Sequence, residues 1–551
     1  MWSIYRDPCL IMSIIPDPNP ETTQWLIPYE EWRLIRYTGF TSRALNLALE
    51  VRSALEITVS AAGDGDYCSI TGALENALSG SRIFVKEGLY REELVLTKPL
   101  EIIGVGSAEN IVIESLENEC IRMEAEKADV RNLTLHGRAG KRNRAAVEIF
   151  NGILTLENCW ITSSGTCIHV HGRKANPIIR NCKIHDGERK GVHFTRNSGG
   201  LVEECDIYGN GYSNVVIDRD SNPTIRGCRI YFGKESGVMV TKGGRGILEK
   251  CDIYGNRAPG VFINRGGNPL VRACSIHHGS NGIAVTDGGI GIIENCDIYA
   301  NHLPNVGISK HGNPLIQNCR IHIGNQHGVL IADEGVGTIE NCDIFKNNAP
   351  NIMIRGESNP LIVNCRIHDG EQSGIFITDE GGGIVKDCDI FNNIHPGIVI
   401  EKRANPLIRG CRIHNGRSNG IGVIRGGSGT IEACEIYANA YSGIGIMEES
   451  NPTIRYCNIY NGKNEGVLTT DKCGGVMEYC TITRNETHGI LIRQKSNPSI
   501  RSCKILENKS YGVCVREKGG GNFDDCLVMQ NGMANWYIED GTRVQRKESK
   551  R

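Results

Sequence analysis

Residues 222–267 read NPTIRGCRIYFGKESGVMVTKGG and then RGILEKCDIYGNRAPGVFINRGG, the second half placing the same residue types where the first does. Cys228 and Cys251 lie 23 residues apart, and this stride continues in both directions. Seventeen cysteines, from Cys159 through Cys319, Cys365 and Cys411 to Cys526, keep it, with one interval of 22 between Cys274 and Cys296. A short fixed period means that each repeat is one structural unit, whose apolar face is buried only by stacking on its neighbours.

Around Cys228 the apolar residues Ile225, Cys228 and Ile230 form one stretch, residues 232–237 a break, and Val238 and Val240 a second stretch before the glycine-rich 242–246. Alternation over four to six positions is the pattern of a half-buried strand. The three-residue step from Ile225 to Cys228 interrupts it and predicts a bend. From the second repeat on, the fifth residue after the cysteine is Gly or Asn, as in Gly187, Asn210, Gly233, Asn256 and Asn347, which predicts a left-handed backbone there. Asn-Pro recurs in every other repeat (Asn222, Asn268, Asn313, Asn359), and the intervening repeats carry glycine turns. These breaks recur too often for helical repeats. The expected fold is all-β, a single-stranded right-handed parallel β-helix with 23-residue coils. Ile, Val and Cys fill its bore in stacked columns.

Stacked cysteines would have Cβ atoms about 4.8 Å apart, beyond the ~3.5–4.5 Å of a disulfide. A straight row of thiols also cannot surround a metal tetrahedrally. The ladder is therefore expected to be reduced and structural, which points to the cytoplasm. Residues 9–15 are a short apolar run without the features of a signal peptide or a membrane span.

Lys and Arg total 61 against 63 Asp and Glu, a net charge of −2. Two residues before each cysteine the column runs Glu203, Arg226, Glu249, Arg272; one residue after it, Asp206, Arg229, Asp252 and, further on, Arg320, Asp343, Arg366. Opposite charges on adjacent strands help by a few tenths of a kcal/mol to ~1 kcal/mol, and a one-coil slip would oppose like charges. No basic stripe stands outside 543–551, so neither nucleic acid nor membrane is an expected partner. Gln317, Val363 and Lys386 interrupt the first column and are candidate binding positions. Three residues after the cysteine, Tyr299, His322, Phe345, His368, Phe391 and His414 form an outward aromatic strip, a candidate surface for a peptide or for sugar rings. Its histidines fall in alternate coils about 9–10 Å apart, too far to share a metal.

The domains expected are a helical appendage over 1–56, a capping strand and helix over 57–93 with the helix at 69–78, the β-helix over 94–540, and a basic tail over 541–551.

The segment TVSAAGDGDYCSITGALENAL…IFVKEGLYREELVLTKPLEIIGVG, beginning at Thr58, resembles the opening of pectin-lyase-like β-helix proteins, including pectin methylesterases. The NPxIRxCRIHxG and GTIExCDIYxN units are similar to repeats of the carbohydrate-binding and sugar-hydrolase (CASH) class. Among these they most resemble the β-helix of F-box-only ubiquitin-ligase adaptors and related bacterial repeat proteins. The resemblance spans about 57–540 and implies the fold. It implies no single activity, because the fold hosts hydrolases, lyases, epimerases and binding scaffolds. The QDTL and DFIFG segments of pectin methylesterases, the RxPxxR segment of pectate lyases, and the NTD and GHG segments of polygalacturonases are absent. No catalytic residue, metal or cofactor is expected. The expected function is a non-catalytic scaffold that binds another protein. The alternatives are a carbohydrate-binding or polysaccharide-modifying protein, and a ubiquitin-ligase adaptor with a degenerate F-box at 26–56.

Overall fold

The computed structural model describes residues 55–138 and 144–547, which fall into two compact units divided between Arg189 and Lys190. In each unit every turn contributes three short strands, here called sheets A, B and C, and each strand pairs in parallel with its counterpart in the next turn. In the second unit Thr224–Arg226 pairs with Ile247–Glu249, Arg229–Tyr231 with Asp252–Tyr254, and Val238–Val240 with Val261–Ile263. The register is one repeat per turn, Ile225 on Leu248 and Ile230 on Ile253. This is the right-handed parallel β-helix expected. Ile225, Cys228, Ile230, Val238 and Val240 all point into the bore and are fully buried.

The bend between sheets A and B is one left-handed residue just before the cysteine, with φ of 60° at Gly227 and 54° at Lys250. The Gly/Asn position five residues after the cysteine has a different origin from the one expected. Positive φ falls one residue earlier, at Phe232 (51°), Gly255 (63°) and Lys346 (54°), and neither Gly233 nor Asn256 is left-handed. The side chains explain the choice. Asn256 Oδ1 accepts Gly233 N–H at 2.9 Å, and its Nδ2 donates to the carbonyls of Tyr254 at 3.1 Å and Ile230 at 3.2 Å. A Cβ at Gly233 would stand 2.9 Å from Asn214 Nδ2 and 3.1 Å from Asn256 Oδ1. Glycine therefore makes room for a buried asparagine ladder that satisfies the turn backbone, as buried polar groups require.

The two-turn alternation is also a packing device. Pro223, Pro269, Pro314 and Pro360 each lie against a glycine of the next turn, Gly246, Gly291, Gly337 and Gly383. Those glycines have φ between 98° and 128°.

All 22 described cysteines are free. Ladder thiols donate to carbonyls, as Cys365 Sγ does to Val363 at 3.3 Å and to Ile339 of the preceding turn at 3.5 Å. Off the ladder, burial pushes the Cys120 thiol up to about 12 and the Cys473 thiol up to about 11. Thiol alkylation of the native chain, read by peptide mass spectrometry, is expected to label exposed Cys68 within minutes and the buried ladder only after unfolding. Prompt labelling at Cys319 or Cys365 would contradict the buried column.

In the first unit, helix α1 (Ile70–Asn76) follows Ser69, whose hydroxyl accepts Gly72 N–H at 3.1 Å. Its buried residues Ile70, Ala73 and Leu74 face the opening strands. The helical appendage and the F-box segment fall on residues that, up to 54, lie outside the described ones. Within the expected tail, Arg543–Lys547 is a strand in register with Gly520–Asp524, so it adds to the last turn.

Candidate functional site

In the second unit the strands of sheets A and B turn two columns of side chains outward and those of sheet C one, and the three faces differ in chemistry. On sheet A the charges pair between turns. Arg272 Nη2 lies 2.9 Å from Glu249, Arg455 Nη2 3.2 Å from Glu432, and Arg501 Nη1 3.2 Å from Glu478. The three positions expected as breaks are accommodated here. Gln317 Nε2 donates to Glu294 at 2.8 Å, Lys386 lies 3.4 Å from Asp387, and Val363 sits in register between Glu340 and Lys386.

On sheet B the aromatic strip is a continuous stack. Tyr299, His322, Phe345, His368, Phe391 and His414 follow one another at ring-centroid distances of 4.6–5.4 Å and interplanar angles of 2–11°. The histidines are tied back to the sheet. His322 Nε2 is 2.8 Å from Asp297 of the preceding turn, and His368 and His414 make the same contact at 3.0 Å with Asp343 and Asp389. The same aspartates also face Arg320, Arg366 and Arg412. The rings thus present mainly edges to solvent, with their faces used on one another.

Sheet C carries the column that the periodicity did not single out. From Val216 to Cys514 no turn places a charged residue at its outward position; Met239, Phe262, Leu330, Met353, Phe376 and Leu468 stand there instead, partly exposed. Gly307 and Gly422 also occupy this column, where a Cβ would meet Asn281 and Pro396 respectively at 3.8 Å. The turn that follows sheet C is strongly charged. Lys310, His311, Asp333, Glu334, Glu357 and Asp379 line a shallow groove of about 420 Å³, and His311 Nε2 lies 2.9 Å from Glu334. An apolar floor with a charged rim is the anatomy of a protein-binding surface. A signal was present in the sequence: Val238-Met239-Val240 and Ile375-Phe376-Ile377 are apolar throughout, so one apolar residue in each must face outward.

At the start of this face His193 Nε2 lies 3.4 Å from Asp218 Oδ2, and Lys190 Nζ 3.2 Å from His193 Nδ1. Burial pushes the Asp218 carboxyl up, but hydrogen bonds from His193 and Thr195 outweigh it and hold the group down at about 2. Two further histidines precede sheet C strands, His327 and His488, and burial lowers the proton affinity of both. A group with a depressed folded pKa stabilises the fold above its unfolded pKa and ceases to as pH falls. Stability is therefore expected to be flat above about pH 6.5 and to decline below it as the two rings charge, with Asp218 adding its loss below about pH 4. Urea-induced loss of hydrogen-exchange protection in the turns that carry these groups, measured across that range, checks this, and a flat profile down to about pH 4 would contradict it.

The fold and these faces define a right-handed parallel β-helix. The chain belongs to the family described as right handed beta helix region, whose model matches residues 119–243, 213–335, 304–427 and 397–548. Among solved structures it is similar to the A-module of the Azotobacter vinelandii mannuronan C-5 epimerase AlgE6, at 14% identity and TM-score 0.33 over 70% of this chain and 93% of that one. It is also similar to the pectin methylesterase from carrot, at 15% identity and TM-score 0.29 over 49% and 82% of the two chains. The PL6 family alginate lyase AlyGC matches at 10% identity and TM-score 0.33 over 90% and 99%. Likenesses this slight carry nothing about activity. Among the described residues, no helix is long and apolar enough to cross a membrane.

Proposed function

We propose that the chain is a non-catalytic β-helix scaffold, working in a reducing compartment such as the cytoplasm, that holds an extended segment of another protein on the outward face of sheet C. The observation that carries this reading is the uncharged column from Val216 to Cys514 beside a rim of mixed charge. The mixed rim and the net charge of −2 favour a polypeptide over nucleic acid. Hot spots cluster where large apolar side chains lose water, so Met353 and Phe376 are the expected anchors. The aromatic strip on sheet B becomes a structural ladder in this reading. A photoreactive residue placed at Met353 is expected to capture one partner, with capture lost on Phe376→Glu and kept on Phe391→Ala. Capture that ignores Phe376→Glu, or that fails with the Phe391→Ala chain, overturns the reading.

A second reading, carbohydrate binding or modification, is favoured by the His193–Asp218 pair. Glycoside hydrolysis needs two carboxylates, one of them protonated. Asp218, held at about 2, suits only the base or nucleophile. A glycan array and a reducing-end assay on polyuronides test this reading, and clean negatives in both remove it. The adaptor reading rests on 26–56, and co-purification with the ligase's F-box-binding linker subunit tests it.

A further inference from the structure

In the first unit, sheet C begins differently. Val147–Ile149 pairs in parallel with Ile168–His171, with Glu148 directly beside His169. Alternation along the second strand buries Ile168 and Val170 and turns His169 and His171 to the same outward face. We propose that Glu148, His169 and His171 form a binding site for a divalent transition-metal ion of the zinc class. This goes beyond the scaffold reading and does not depend on it.

Each of the three residues offers one ligand atom, and these atoms all lie within 4.8 Å of one another. His169 Nδ1 is 3.1 Å from both Glu148 oxygens, and His171 Nε2 is 3.8 Å from Oε2. Ligands about 2.0–2.2 Å from a zinc ion stand about 3.0–3.5 Å from each other in tetrahedral or octahedral arrangements. The carboxylate and His169 already meet that spacing, and a small side-chain rotation brings His171 to it. Two imidazoles and one carboxylate are a donor set suited to zinc, cobalt or iron(II), and too nitrogen-rich for calcium or magnesium.

The surroundings favour the same assignment. Two described guanidinium groups near the carboxylate are each paired with another acid: Arg144 Nη1 lies 2.6 Å from Glu119, and Arg122 Nε 2.8 Å from Glu124. Phe150 packs against His171 in a T-shaped contact at a ring-centroid distance of 4.2 Å, and the two imidazoles stack at 5.0 Å. Side-chain exposures of 12% for Glu148, 27% for His169 and 19% for His171 leave each ligand partly accessible to solvent. The geometry differs from that of the cysteine ladder and of the sheet B histidines. Here the ligands lie two residues apart on one strand and directly across on its neighbour.

Titration of the chelator-stripped full chain with Co²⁺ tests the proposal. One saturable ion per chain is expected, with visible d–d bands of nitrogen and oxygen ligation and without thiolate charge transfer. His169→Ala, His171→Ala and Glu148→Gln are each expected to weaken binding about tenfold or more, while His185→Ala, on sheet B, binds like the unaltered chain. Circular dichroism confirms that each variant is folded. Absence of saturable binding, a thiolate-type spectrum, or binding unchanged in all three folded variants overturns the proposal. Should the alanine variants fail to fold, the spectrum of the unaltered chain and Glu148→Gln decide it.

Discussion

Asn347→Ala is expected to be among the most damaging single substitutions in the chain. The side chain is fully buried, and its Oδ1 accepts Gly324 N–H at 2.9 Å and Asn305 Nδ2 at 3.1 Å. Its Nδ2 donates to the Phe345 carbonyl at 3.1 Å and to Asn351 Oδ1 at 2.8 Å. Removal unpairs the Gly324 N–H and Asn351 Oδ1 where water does not reach, at about 1–3 kcal/mol for each, while the Phe345 carbonyl keeps Ile323 N–H and Asn305 Nδ2 keeps the His322 carbonyl. Relaxation recovers part of this, which leaves a local loss of about 3 kcal/mol. Long repeat arrays do not unfold in one step, so a single melting temperature is the wrong measure. Hydrogen exchange read by mass spectrometry is the right one. Peptides covering the turns on either side of residue 347 are expected to exchange about a hundredfold faster, with turns near 210 unchanged. Protection within about threefold of the unaltered chain would show that the ladder contributes little.

Gly383→Ala is the second large effect, and Gly426→Ala is its natural control. A Cβ at Gly383 would stand 2.5 Å from the Pro360 carbonyl oxygen and 2.9 Å from Pro360 Cδ, on a backbone with φ of 98°. At Gly426 φ is also positive, 70°, but nothing lies within 4 Å. The control carries only the conformational penalty, about 1 kcal/mol. The first variant adds a steric conflict between two backbones, for an expected total of about 3 kcal/mol or more. Urea-induced loss of protection in the adjoining turns measures the difference. Equal effects would mean that the proline face yields and that the contact is not restrictive.

Much of the architecture can be read from the residues because every turn repeats the same physical demand. Ile225, Cys228 and Ile230 mark the inner face, and the step between the first two marks the bend that Gly227 supplies. Gly233 and Asn256 mislead because glycine and asparagine share two properties. Both tolerate positive φ, and an asparagine amide can also stand in for backbone partners, with glycine leaving it space. Only the coordinates separate these. The histidines of sheet B stand out in the sequence by their regularity, yet that same regularity is what stacks them and ties them to aspartates. The outward face of sheet C is hard to find because its strands are apolar at all three positions, which masks the alternation. Glu148, His169 and His171 are harder still. They are 21 and 23 residues apart, and they lie where the early turns have not settled into the later stride.

The proline-against-glycine contacts limit how such a chain can grow or shrink over generations. Loss of one turn would set two Asn-Pro corners against each other, or two glycine corners, according to which kind of turn is lost. Loss or duplication of a pair restores every contact. Viable length variants are therefore expected to differ by even numbers of turns, and the gene should tolerate recombination between alternate repeats far better than between neighbours.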